Sequence, residues 1–204
     1  MKSVLHHTKF CLRALMVALL CAGQSIAAEY KIDADHSTVG FRIKHLSIST
    51  VPGRFKTFQG SLQFDPNNIA SSKANVSIDV SSINTEQSKR DDHLRSADFF
   101  DVSKFPTMTF ETTSVEPISK DTFNALGNLT LHGVTKPVTL KVEFTGSALD
   151  PWGNERVAFS ATTTLNRKDF GLTWNKLLET GGLVVGEEVK IDIEIEAIKE
   201  KQGS

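Results

Sequence analysis

Val189-Lys190-Ile191-Asp192-Ile193-Glu194-Ile195-Glu196 sets an aliphatic residue at every odd position and a charge at every even one. Successive side chains of an extended chain project to opposite sides, so this run is a strand with one apolar face. The same alternation recurs upstream. Ser37, Val39, Phe41 and Ile43 alternate with Thr38, Gly40, Arg42 and Lys44. Phe58, Leu62 and Phe64 share a face around Gly60, and Ala74, Val76, Ile78 and Val80 alternate with Asn75, Ser77 and Asp79. Phe123, Ala125, Leu129 and Leu131 follow, then Val138 to Phe144, then Val157 to Leu165. A strand around Met108 and Phe110 brings the number to about eight.

Turn residues fall between the runs: Pro52-Gly53, Asp65-Pro66, Glu116-Pro117, Gly133, Lys136-Pro137 and Asp150-Pro151-Trp152-Gly153. Several runs exceed the usual strand of about five or six residues, and at roughly 3.3 Å per residue they would span about 30–40 Å. Long antiparallel strands of this number favour closure, which removes edge strands and leaves room for one ligand. The expected fold is therefore all-β, an antiparallel up-and-down barrel of about eight strands with one or two short helices.

Thr85 to Ser96 breaks the alternation. It reads as a mostly solvated crossover helix, capped by Asn84, with Glu86/Arg90 and Asp91/Arg95 as i,i+4 pairs and Leu94 as almost its only apolar residue. Asn175 to Glu179 is a candidate second helical turn before Gly181-Gly182.

The first residues have the pattern of an export signal. Lys2, Lys9 and Arg13 precede the apolar run Ala14 to Ala22, which is shorter than the roughly twenty residues a membrane span needs. Ser25-Ile26-Ala27 supplies small residues for cleavage, so residues 1–27 read as a signal peptide and residues 28–204 as one barrel domain. Leu20 before Cys21 argues against lipoprotein processing. Removing 27 of 204 residues leaves 177, with no cysteine and thus no disulfide or thiolate metal site. The basic count falls from 23 to 20 against 24 acidic residues, a net charge of −4 without a basic stripe, which disfavours nucleic acid as a partner.

Alternation leaves open whether the apolar faces point into the barrel or outward into lipid. Only Tyr30, Trp152 and Trp174 could supply aromatic girdles, the chain carries 13 Phe, and Lys199 to Ser204 is polar. These features favour a soluble barrel with no stable membrane span.

Five stretches, in order along the chain, resemble the YceI-like family. Asp35-His36-Ser37-Thr38-Val39-Gly40-Phe41-Arg42-Ile43-Lys44-His45-Leu46 with Val51-Pro52-Gly53-Arg54-Phe55 is similar to its opening. Asp92 to Asp101, Phe105 to Phe110, Gly127 to Val138 and Asn166 to Leu172 continue the likeness over nearly the whole chain after residue 27. The resemblance implies a lipocalin-like barrel in the bacterial periplasm. It implies binding of a polyisoprenoid, such as an isoprenoid quinone or prenyl pyrophosphate, or of another long-chain lipid, with a possible homodimer. It transfers no catalytic residue, and the expectation is a non-enzyme with no cofactor and no metal.

A polyprenyl tail needs a deep dry tube, since burial stabilises it by about 25 cal/mol per Å² of apolar area. Candidate wall residues are Phe41, Ile43, Phe55, Phe64, Ile78, Leu129, Leu131 and Phe159, with Phe58, Val76, Ile191 and Ile193 also on apolar faces. Ala125, Gly127, Ala161 and Thr163 are small residues on the same faces, leaving space that a filled core would close. At the mouth, Arg167 offers a planar fork to a phosphate or carbonyl oxygen, the alternative being a structural pair with Asp169 or another acid. His45 is a second candidate donor to a head group, and otherwise a core histidine. Phe170, Trp174 and Leu183 to Val185 are candidates for a lid.

Two other functions compete. One is a structural or interaction barrel with no ligand. The other is an enzyme acting on an amphiphilic lipid, for which His36, His93 and His132 match no zinc spacing and no Gly-x-Ser-x-Gly elbow exists.

Overall fold

The computed structural model describes residues 27–177 and 182–201. The expected export segment up to Ile26 and Gly181 of the expected hinge lie outside the described residues, as do positions 178–179 of the expected second helical turn. Asn175 and Lys176, which would begin that turn, are not helical.

Among the described residues, eleven strand segments make one antiparallel sheet that closes on itself. They are β1 (Ala28–Ile32), β2 (Thr38–His45), β3 (Ser49–Phe55), β4 (Phe58–Phe64), β5 (Lys73–Asp79) and β6 (Ile83–Asn84), then β7 (Thr107–Pro117), β8 (Thr122–Leu131), β9 (Val134–Leu149), β10 (Glu155–Asn166) and β11 (Val185–Lys199). The helix α1 (Ser88–Arg95) joins β6 to β7. Three pairs are broken strands, β1 with β2, β3 with β4, and β5 with β6, so the barrel has eight staves in up-and-down order. β11 closes the ring: β10 runs along one edge, while β2 and then β1 take the other, with Ile193 opposite Val39 and Ala197 opposite Ile32.

Each break has a local cause. Asp33 accepts a hydrogen bond from the Asp35 N–H, starting a single 3-10 turn between β1 and β2. The N–H groups of Lys56 and Thr57 both donate to Ser82 Oγ, at 3.1 and 3.0 Å, so the kinks of two neighbouring staves hold each other. The expected turn at Pro52-Gly53 lies instead inside β3, and Pro137 lies inside β9. Both prolines are tolerated because their staves have lost one neighbour there. β3 pairs with β6 only at Arg54 and Phe55, and β9 pairs with β10 no nearer to Pro137 than Lys141. A missing N–H costs little on an edge.

The apolar faces point inward. Ile191, Ile193 and Ile195 border the interior while Lys190 and Glu194 are exposed outside. This resolves the alternative left open by alternation. Among the described residues no helix is long and apolar enough to cross a membrane.

An aromatic floor lies at the base of the barrel. Phe64, Phe144 and Phe159 pack with ring centroids 4.9, 4.9 and 5.4 Å apart. Above this floor, Gly127 makes room for a ring. A Cβ there would sit 2.4 Å from Phe110 Cζ, so the space expected for cargo at Gly127 is already taken by Phe110. Outside the floor, Arg156 binds three acids from different segments. It donates to Asp33 Oδ2 at 2.7 Å, to Asp150 Oδ2 at 2.9 Å and to Glu196 Oε1. Partial burial pushes the Asp33 carboxyl up, but hydrogen bonds from Arg156, His36 and the Asp35 N–H outweigh it and hold it below the ordinary value. At Asp150 the same opposition, with Asn154 the main donor and Arg156 assisting, leaves the carboxyl further depressed.

Depressed folded pKa values contribute stability that is complete above the ordinary carboxylate value of 3.8 and is lost as pH falls through the folded values. The urea midpoint is therefore expected to drop as pH is lowered from about 5 to about 2.5. Arg156→Leu should begin with a lower midpoint at neutral pH and lose less on acidification. A variant whose midpoint falls in parallel with the parent's would place the acid sensitivity elsewhere.

Candidate functional site: a two-chamber apolar hollow

The interior is not filled. An upper chamber of about 300 Å³ opens at the end of the barrel that carries α1. A lower chamber of about 190 Å³ lies beneath it, above the aromatic floor. Phe41, Phe55, Met108, Leu165 and Ile191 border both and form a waist between them. Inward residues such as Leu62, Val138, Leu140 and Val142 are only half-buried although they face the lower chamber, as expected of the wall of a hollow. A close-packed core would leave them almost no accessible surface.

The sequence-derived candidates come together on this surface. Phe41 and Phe55 are at the waist. Phe64, Ile78, Leu129, Phe159, Ala161 and Thr163 border the lower chamber, Phe64 and Phe159 as its floor. Ile43, His45, Leu131, Arg167, Phe170 and Trp174 border the upper one. Val76, Ile193 and Ala125 also face the lower chamber. Phe58 does not border either chamber; it is buried in the core with Ile78 and Val80. Of the expected lid, Val184 and Val185 border the upper chamber, whereas Leu183 pairs with Leu177 in an isolated bridge.

Arg167 is a buried charge bordering the upper chamber, with 4 % of its surface exposed. Its place follows from the end of β10, where Asn166 caps a 3-10 turn that closes on Gly171 at φ 78°. Nε donates to Gly186 O at 2.8 Å, Nη2 to Val185 O at 3.4 Å, and Nη1 to Leu172 O. The expected pair with Asp169 does not form, because Asp169 is exposed on the outer side of that turn. Burial pulls the guanidinium below its ordinary value, and the charge of nearby Glu187 partly opposes this. Glu187 itself is bonded to Lys168.

Sequence reading missed the helical side of the mouth. Helix α1 is shorter than expected, and Gln87 caps it instead of Asn84, accepting from the Arg90 N–H at 2.6 Å. The expected Glu86/Arg90 and Asp91/Arg95 pairs are absent. Asp91 is buried and accepts from the Thr85 N–H at 2.9 Å and from the Thr85 hydroxyl. Arg90 Nε donates to that same hydroxyl oxygen at 2.7 Å, while Arg95 bonds Asp92 and reaches the carbonyls of Ser81 and Ile83. A buried carboxylate needs donors, and Thr85 supplies two where Arg95 was expected to supply the charge. Thr85, Arg90, His93, Leu94, Phe99 and Phe100 thereby border the upper chamber. His93 packs edge-on against Phe99 and Trp174, with centroids 5.0 and 4.9 Å away.

The profile of the YceI-like domain matches residues 30–197. The chain belongs to the YceI-like family. That match spans β2 through β10 whole and takes in both chambers. A "UPF0312 protein" of Pseudomonas putida strain F1 is 43 % identical over 194 residues, covering 94 % of this chain and 97 % of its own length. A "UPF0312 protein" of Pseudomonas aeruginosa strain LESB58 is 45 % identical over 189 residues, covering 92 % of this chain and 95 % of its own length. Among solved structures, the YceI protein of Campylobacter jejuni is 34 % identical, with a TM-score of 0.67 over 78 % of this chain and 90 % of that one. Burkholderia cenocepacia BcnA is 25 % identical, with a TM-score of 0.72 over 81 % of this chain and 98 % of that one. A polyisoprenoid binding domain from Saccharophagus degradans shares the fold at 16 % identity, with a TM-score of 0.63 over 85 % and 99 % of the two chains.

The waist of this YceI-like barrel depends on a glycine. Gly53 lies opposite Phe41 across β2 and β3, and a Cβ on it would meet Phe41 Cζ at 2.2 Å. Gly53→Ala should turn the Phe41 ring into the waist and lower stability by about 1–3 kcal/mol, the usual effect of overpacking. Urea denaturation checks the stability. An unchanged midpoint would show that the ring has room to move aside.

Proposed function

We propose that this protein binds one long-chain apolar lipid of the polyisoprenoid class inside its barrel, without catalysis, in the bacterial periplasm. The observation that carries the reading is the pair of chambers sharing one waist, the lower lined almost wholly by apolar side chains with Lys73 its one charged neighbour, the upper bordered by Lys44, Arg90 and Arg167. A chain of methyl and methylene groups gains from leaving water there and restores contacts that the empty walls lack. Taken together, chambers of about 300 and 190 Å³ fall within the size range of ligand sites, roughly 300–1,000 Å³, although the lower one alone is smaller. The shared fold of the Saccharophagus domain, described as polyisoprenoid binding, supports the class of cargo. The basic, apolar and small-residue order of residues 1–27 supports export.

The head of such a lipid belongs at the mouth. Arg167 has direct bonds to carbonyl oxygens and none to a carboxylate, so its charge faces the chamber unneutralised by a bonded acid. An oxygen-rich head, a phosphate or a quinone carbonyl, is the chemistry that would meet it. His45 adds a second polar group on the β2 side.

Native mass spectrometry of protein purified without detergent is expected to show one organic-extractable lipid per barrel. Ala161→Phe and Thr163→Phe put bulk into the lower chamber and should each cut that occupancy while the far-ultraviolet circular dichroism stays that of the parent. Full occupancy in both variants, or an empty parent that takes up no polyprenol, would overturn the reading.

A further inference from the structure

Five large apolar side chains stand out as exposed among the described residues, and they divide between the two ends of the barrel. Ile118, Leu149 and Trp152 lie on or beside base turns. Ile48, 83 % exposed, and Leu177, 81 % exposed, stand at the mouth. Ile48 follows a turn whose central residues, Leu46 and Ser47, have φ of 53° and 61°. Neither is a glycine, so the tight turn that presents Ile48 is held against its own preference.

The two tips form one ridge. The Leu46 N–H donates to Val184 O at 2.9 Å, and the Val184 N–H donates to Lys176 O at 3.1 Å. Asn175 fastens the same loop to β11, donating to Val185 O at 2.7 Å and accepting from the Val185 N–H at 3.1 Å. Val184 and Val185 border the upper chamber, so the ridge is continuous with the chamber wall. Beside it, Lys44 on the Ile48 hairpin and Lys176 next to Leu177 are exposed, and neither takes part in an ion pair among the described residues. Of the two acids at the start of β11, Glu187 is bonded to Lys168, and Glu188 is exposed with no ion pair among the described residues.

Apolar tips flanked by free ammonium groups match the interface of an anionic bilayer, where the tips enter the acyl boundary and the lysines meet phosphates. We propose that this ridge docks the mouth of the barrel onto an anionic phospholipid membrane, so that a lipid passes between bilayer and chamber without crossing water. The proposal rests on the lipid-binding reading. It adds where the cargo enters and leaves.

Sedimentation with phosphatidylglycerol and with phosphatidylcholine vesicles tests it on the mature protein. The parent should sediment with the former, less with the latter, and less as salt rises. Ile48→Asp combined with Leu177→Asp should weaken sedimentation about tenfold or more, the effect of withdrawing two apolar side chains from the interface. The co-purified lipid and the thermal midpoint should remain those of the parent. Lys176→Glu should remove the preference for phosphatidylglycerol, and Trp152→Asp at the base should leave sedimentation unchanged. A lipid-loaded parent that ignores both vesicle types, a double variant that sediments like the parent, or loss of sedimentation on Trp152→Asp alone would overturn the docking. An empty barrel that still sediments would sink the cargo reading and leave the docking standing.

Discussion

Closure of eight staves around side chains too small to fill the ring is the constraint on which the remaining structure depends. Once β11 has paired with β10 on one edge and with β1 and β2 on the other, the circumference is set by backbone hydrogen bonds. The interior is then filled only as far as its residues reach. At the base, three phenylalanine rings meet and pack against one another. Higher up, Ala125, Ala161 and Thr163 leave a gap, and the wall atoms facing it lack partners on that side. An empty apolar hollow of this kind is a standing energetic deficit that an apolar occupant removes.

The mouth is made by withdrawing the sheet. β3 runs past Pro52 without a second neighbour, and β9 does the same around Pro137. These gaps would expose backbone, and non-strand segments cover them. The α1 side is fixed by the Thr85, Asp91 and Arg90 hydrogen bonds and by Phe100 set edge-on against Phe55. The β10 side is fixed by the turn carrying Arg167 and Phe170, where His132 Nδ1 lies 3.2 Å from Phe170 O. Covering segments hold by few, specific contacts, whereas the staves hold by continuous ladders. The open end is therefore also the end with the less redundant bonding.

The eight-stave barrel was legible because period-two alternation survives in a single sequence wherever one face is buried. Val138 to Phe144 and Val189 to Glu196 could be read in no other way. The wall was legible for the same reason, since the inward parity of a strand assigns every second residue to the hollow. Three things were not legible. Pro52-Gly53 looked like a turn because proline and glycine punctuate most chains, and only the pairing pattern shows that β3 is an edge there. Gly127 looked like free space, but whether a glycine leaves a void or admits a ring depends on Phe110 of the neighbouring stave. Asp91 looked like surface charge because a short polar helix gives no periodic sign of which residue turns inward. Its burial is decided by Thr85, six residues away, which supplies the hydrogen bonds that replace water.

The two ends of the hollow treat charge in opposite ways. At the base, Arg156 is bonded to Asp33, Asp150 and Glu196, so acids outnumber the cation and the charges serve to clasp β1, β10 and β11 outside the floor. At the mouth, Arg167 is held by carbonyl oxygens, which orient the guanidinium through their dipoles and leave its net charge intact. Taking that charge out of water with no bonded carboxylate is unfavourable in the empty protein. Had the sequence paired Arg167 with Asp169, this guanidinium would be neutralised, and Lys44 and Arg90 would be the remaining cations bordering the chamber. Because it did not, on the proposed reading a ligand bearing an electronegative head gains twice, by filling the apolar hollow and by meeting a cation with no bonded acid. A bare hydrocarbon of the same length gains only once.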